Sequence, residues 1–170
     1  MRTELKFGLI AGIGVSIYVL LEYLLGFHTT HPEIGEYSGY FSAIIPIVVI
    51  LFAIRKKRDR SFKGLISFGQ AFITGIIVTA ISAFIITAFF VIYNDYINPE
   101  GMKNISNWKA EQMRLQSIPE EEIVASIEQW NAMNNPLFVF AGSFFMGLII
   151  TVIFALVIRK RTSPSVNTDI

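Results

Sequence analysis

The sequence predicts an all-α integral membrane protein, a bundle of four transmembrane helices with an outer amphipathic helical segment between the third and fourth. Three observations predict it. The 170-residue chain is 53% hydrophobic and 16% charged, against about 45–50% apolar and about 25% charged in soluble domains. Four apolar runs approach or exceed the roughly 20 residues that a helix needs to cross a bilayer. Each run is apolar all round, without the single stripe of a soluble helix or the alternation of a barrel strand.

The first span covers 5–27. It follows Met1-Arg2-Thr3-Glu4-Leu5-Lys6, outlasts the apolar core of a signal peptide and has no small-residue cleavage pattern after it, so it is expected to be retained. The second, 37–54, is the shortest and contains Pro46. That proline should kink the helix, or let Ser42 and neighbouring helices satisfy the freed carbonyl. The third span is 68–93 and the fourth 137–158. Between them, 94–135 is too long for a bare turn. Ser117-Ile118-Pro119-Glu120 reads as a capping box with Pro in the first turn, followed by Ile123, Ile127 and Trp130 at helical spacing. A helix over 118–133 is expected, ending before Asn135-Pro136, with a second over 105–116. Both tryptophans, Trp108 and Trp130, lie here, which suggests apolar faces laid on the bundle rim at the membrane surface. Residues 1–161 thus form one domain, and the polar tail 162–170 is expected to be disordered.

The net charge of +1 hides a division. Eleven Lys and Arg flank the termini and the second connection, and three lie in the outer connections, which hold nine of the acidic residues. The positive-inside rule then places both termini in the cytoplasm. The run Arg55, Lys56, Lys57, Arg58 and Arg60, with Lys63, should also attract anionic lipid headgroups. It lacks interleaved aromatics and is held at the membrane, so no nucleic-acid partner is expected. There are no cysteines, which excludes disulfides and thiolate metal sites.

Helices in lipid associate through small residues at close contacts. The third span carries Ser67, Ala71, Gly75, Thr79, Ala83 and Thr87 at every fourth position. The fourth carries Ser143, Gly147, Thr151 and Ala155, and the first Gly8, Gly12 and Ser16. Spacing of four puts each set on one face. These faces should point inward and bring the first, third and fourth helices together. Phe7-Gly8 and Phe68-Gly69 open the two halves, and Ile54-Arg55-Lys56 and Ile158-Arg159-Lys160 close them. This is a faint parallel-repeat echo, which positive-inside selection alone also explains.

Glu22 is the one ionisable residue well inside a span, and an intramembrane carboxylate invites a functional reading. It lies about one and a half turns from the outer end. A structural role, accepting hydrogen bonds from Tyr23, Tyr37 or Tyr40, competes with proton coupling. The stretch from His28 to Glu36 holds both histidines, His28 and His31, and two glutamates. Pro32 and Gly35 argue for a loop there, and the spacing matches no zinc motif, so the pair is only a weak metal candidate. No phosphate-binding, nucleophile-elbow or dinucleotide pattern occurs. No cofactor is expected.

Ile66-Ser67-Phe68-Gly69-Gln70-Ala71-Phe72 opens the third helix and Tyr93-Asn94-Asp95-Tyr96-Ile97-Asn98-Pro99 closes it. With four spans, a basic second connection and a long acidic third one, the chain resembles domain of unknown function family 4199. The resemblance covers nearly the whole chain. It implies a small four-helix protein of the bacterial inner membrane, mostly of Bacteroidetes-type bacteria, and brings no activity, substrate or cofactor. The expected function is that of a non-enzymatic accessory or scaffold protein, bound to the lipid bilayer and to a protein partner or a second copy. The alternatives are a small transporter or channel subunit using Glu22, and an outer-face metal site at His28 and His31.

Overall fold

The computed structural model describes residues 2–159, and the tail expected to be disordered lies outside the described residues. Among the described residues seven α-helices follow one another: α1 (Arg2–Leu24), α2 (Pro32–Ser38), α3 (Ile44–Ser61), α4 (Phe68–Ile92), α5 (Gly101–Leu115), α6 (Glu120–Met133) and α7 (Pro136–Ile158). A 3-10 turn, Gly39–Ala43, joins α2 to α3, and a π turn, Tyr93–Ile97, ends α4. Four stretches are long and apolar enough to cross a membrane: Arg2–Leu24, Pro32–Ser61, Phe68–Ile97 and Pro136–Ile158.

Helix α4 is the spine. It packs on α7, α1 and α3. Helix α3 also meets α1 and α7, whereas α1 and α7 form no extensive contact with each other. The small-residue faces therefore join the first span to the third and the third to the fourth. The two seams use different faces of α4: Ile81 and Ile85 meet α1, and Gly75 and Thr79 meet α7.

The contacts show why these positions are small. A methyl group added at Gly8 would lie 2.6 Å from Ile81 Cβ, and one at Gly12 the same distance from Ile85 Cβ. Gly75 lies against Thr151 and Gly147 against Thr79, a reciprocal interlock of glycine and threonine. The two threonine hydroxyls meet at 3.5 Å at its centre. Ala71, Ala83 and Ala155 are buried along the same seams. Ser143 instead borders a groove, and Ser67 is exposed. Ser67 serves as the N-cap of α4: its Oγ accepts from Gln70 N at 3.3 Å, and Gln70 Oε1 accepts from Ser67 N at 3.0 Å. This capping box satisfies two orphan donors. At the same end of the bundle, Lys57 Nζ lies 2.6 Å from the buried Glu4 carboxylate, tying the start of α1 to the end of α3.

Three local expectations are corrected. Pro32 and Gly35 do not mark a loop. Pro32 is the first residue of α2, where a missing N–H costs nothing. Gly35 passes so close to the Phe27 carbonyl that a side chain would collide with it. The second span therefore begins before residue 37. Pro46 falls in the first turn of α3, where a proline is tolerated without a kink. The backbone adapts by the 3-10 turn before it, and Ser42 Oγ donates to the Gly39 carbonyl at 2.7 Å. Ser117, read as the start of a capping box, closes α5 instead. It adopts φ +59, Ser117 N donates to Arg114 O at 2.9 Å and Ile118 N to Met113 O at 3.2 Å. That pair of bonds is a Schellman motif. Helix α6 then starts at Glu120, capped by Pro119 without a side-chain bond.

Candidate functional site

The C-terminal end of α1 is where the polar residues converge. After Leu24 the chain turns back through Gly26, whose φ of +78 suits a residue without a Cβ. The Gly26 carbonyl accepts from Thr30 N and His31 N, both at 2.8 Å. This reversal returns His28 to Glu22. Glu22 is 4% exposed, and its Oε2 lies 3.6 Å from His28 Nε2. His28 Nδ1 meets Tyr93 Oη at 2.6 Å. The π turn at the end of α4 places Tyr93 inward and brings Asn98 Nδ2 to donate to the same phenol at 3.1 Å. Gly101 lies against the Asn98 side chain, where a larger residue would displace it. Tyr23 stacks edge-on against Tyr93, with ring centroids 5.8 Å apart.

The network assigns the proton on His28. The Asn98 amide nitrogen can only donate, so the Tyr93 oxygen accepts from it. The phenol proton is then free to donate to His28 Nδ1. The imidazole carries its own proton on Nε2, facing Glu22. Burial pushes the His28 pKa below its ordinary value, while the Glu22 charge pulls the other way. Glu22 Oε1 is buried and has no hydrogen-bond partner among the described residues. Such an oxygen keeps part of its desolvation cost.

The partners expected for Glu22 are thus corrected. Tyr37 and Tyr40 are 70% and 76% exposed and lie outside this network, and Tyr18 donates to the Ser38 carbonyl at 2.9 Å. Glu22 does not snorkel; His28 comes down to it. The two histidines also part company. His31 is exposed and faces Glu33, with Nδ1 at 3.4 Å from Oε1. Among the described residues, no three His, Asp or Glu side chains stand close enough to hold a metal ion.

Above this network lies a crevice of about 360 Å³, bordered by Phe27, His28, Glu36, Trp108, Lys109 and Trp130 among others. Lys109 Nζ reaches Glu36 Oε1 at 3.0 Å and sits 4.7 Å above the Trp130 ring. Helices α5 and α6 pack mainly on each other, with Ser106 Oγ donating to Asn131 Oδ1 at 3.0 Å and Ile123 buried. Helices α5 and α6 meet the bundle across this crevice, where Ile105, Trp108 and Trp130 face Phe27, Pro32 and Tyr40 and Lys109 is caged between Glu36 and Trp130. The Arg114 guanidinium grips Glu120 across the α5–α6 turn, Nε to Oε2 at 3.1 Å, and holds that carboxyl below its usual pKa.

A second space, about 290 Å³, opens within the membrane between α3 and α7, bordered by Ser42, Pro46, Thr79, Ser82, Ser143 and Met146 among others. Glu22 does not border it. Sequence reasoning missed Tyr93 and Asn98. Their signal was present: a polar cluster closing a long apolar run.

No curated protein and no solved structure matches the chain. The model of a family described as protein of unknown function (DUF4199) matches residues 6–160. The match spans all four apolar stretches almost completely, together with α5, α6 and the polar network, and the chain belongs to that family.

Proposed function

We propose that this protein is a non-enzymatic accessory or scaffold protein of the bacterial inner membrane, with both termini in the cytoplasm. Its outer helical pair, α5 and α6, binds a protein partner or a second copy. One observation carries the reading: the buried polar residues close on one another. Glu22, His28, Tyr93 and Asn98 form a chain of contacts between α1, the first outer turn and the end of α4. Their role is to hold the outer turn in place, and with it the platform on which Lys109 and Glu36 seat α5. Purification of the full chain from membranes in mild detergent, with mass photometry and quantified co-purifying proteins, tests it. A stoichiometric partner or a homo-oligomer is expected, lost on Lys109→Glu. A strictly monomeric, partner-free protein would sink the reading.

A second reading, proton-coupled transport through Glu22, draws on the unpartnered Glu22 Oε1 beside a titratable imidazole. Glu22→Gln should then abolish pH-dependent proton flux into proteoliposomes. Flux that is absent in the wild type, or unchanged in the variant, removes it.

A further inference from the structure

The basic run that follows the second span looks uniform in sequence, and the fold divides it. Lys57 turns to Glu4, with Nζ 2.6 Å from Oε1. Arg58 Nε turns to Asp59 Oδ1, 2.7 Å away. Arg55, Lys56 and Arg60 have no carboxylate within ion-pair distance among the described residues. These three share one face of α3 with Phe52 and Asp59, since positions 52, 55, 56, 59 and 60 follow the helical repeat. Together with Phe7 of α1 they line a cleft of about 460 Å³.

The cleft is graded along the helix. Phe52, 53% exposed, lies toward the membrane interior. Arg55 and Lys56 come one turn later, and Arg60 one turn beyond, about 12 Å from Phe52 at 1.5 Å per residue. Lys56 Nζ is held 5.5 Å above the Phe7 ring. That places an ammonium over an apolar floor with no carboxylate paired to it among the described residues. The Asp59 carboxylate on the rim is already engaged by Arg58. The Lys57–Glu4 contact fixes the two helix ends that form the walls. An apolar floor, a cationic rim and a position at the end of a membrane span match one chemistry: a phosphate attached to an acyl chain.

We propose that this cleft between α1 and α3 is a defined binding site for an anionic glycerophospholipid. Arg55 and Arg60 receive the phosphate oxygens through their planar forks, Lys56 adds a third positive charge, and the first acyl methylenes lie on Phe7 and Phe52. The site is independent of the partner-binding reading, since it lies at the opposite end of the bundle from α5 and α6.

The test is native mass spectrometry of the full chain in detergent, titrated with phosphatidylglycerol or phosphatidylcholine. The wild type should retain phosphatidylglycerol selectively. Arg55→Gln/Lys56→Gln/Arg60→Gln should weaken it on the order of a hundredfold, following the usual contribution of each interfacial cation. Arg2→Gln/Lys6→Gln/Lys63→Gln, which removes equal charge from the same end of the bundle, should change it less than about threefold by comparison. Phe52→Trp fills the cleft, keeps every charge and alters a lipid-exposed position that tolerates it; it should also weaken binding. Equal losses in the two triple variants, or wild-type binding by Phe52→Trp, would mean diffuse attraction and overturn the proposal. So would displacement of the lipid by millimolar glycerol phosphate, which would assign the site to a soluble phosphate.

Discussion

Leucine in place of Gly147 lowers the stability of the bundle by about 3 kcal/mol, and Gly75→Leu does the same. In lipid there is no hydrophobic drive between helices, so the α4–α7 seam depends on van der Waals packing at close approach. Gly75 receives Thr151 and Gly147 receives Thr79, so each glycine is the hole for the other helix's threonine. A side chain at either position separates the backbones along the whole seam, and the Thr79–Thr151 contact at 3.5 Å goes with it. Gly142 lies on the same helix with nothing within 4 Å of an added methyl. Gly142→Ala is therefore neutral or mildly stabilising, by up to about 1 kcal/mol from helix propensity. Thermal or SDS unfolding in detergent separates the two classes. Equal tolerance of leucine at Gly147 and of alanine at Gly142 would contradict the packing described.

His28→Ala costs about 2 kcal/mol, the second largest effect expected. It removes the acceptor of the Tyr93 hydroxyl and the N–H that faces Glu22. Both groups are buried; Tyr93 keeps only Asn98, and Glu22 loses the imidazole beside it. Adding Glu22→Gln to His28→Ala recovers part of the loss, because the glutamine carries no charge to leave buried. The double-mutant cycle should therefore be non-additive. The same residue gives a pH dependence. An unfolded histidine titrates near about 6.5, and burial holds the folded one lower. Between these two values the unfolded chain binds a proton that the folded chain does not. The contribution of His28 is full above about 6.5 and is lost as pH falls through the folded value. His28→Ala flattens this part of the stability profile. An unchanged slope in unfolding curves from pH 7.5 to pH 5 would remove His28 as its source.

The four spans were legible because bilayer thickness imposes a length and a hydropathy that survive in any single sequence. The packing faces were legible for a similar reason: a spacing of four is a local property, and Gly75, Thr79, Gly147 and Thr151 all sit where it puts them. The caps were not. Ser67 and Ser117 have the same chemistry, yet one opens α4 and the other closes α5. The difference lies in backbone bonds from Ser117 and Ile118 back to α5, which residue type does not encode. Pro32 and Gly35 misled because a proline that begins a helix and a glycine that allows close approach share their letters with a loop. The candidate site was half legible. Glu22 stood out as a carboxylate in an apolar run. Its partners did not, because His28 and Tyr93 are 65 residues apart and meet only through a left-handed glycine and a π turn.

A bundle of this kind holds its basic end on one side of the membrane and the α5–α6 pair on the other. The chain has no cysteine, so single cysteines report their side without background. Lys63→Cys and Glu121→Cys, labelled in intact cells with a membrane-impermeant maleimide, test this arrangement. Glu121→Cys should react in intact cells and Lys63→Cys only after the membrane is opened. Reaction of both from the same side would contradict it.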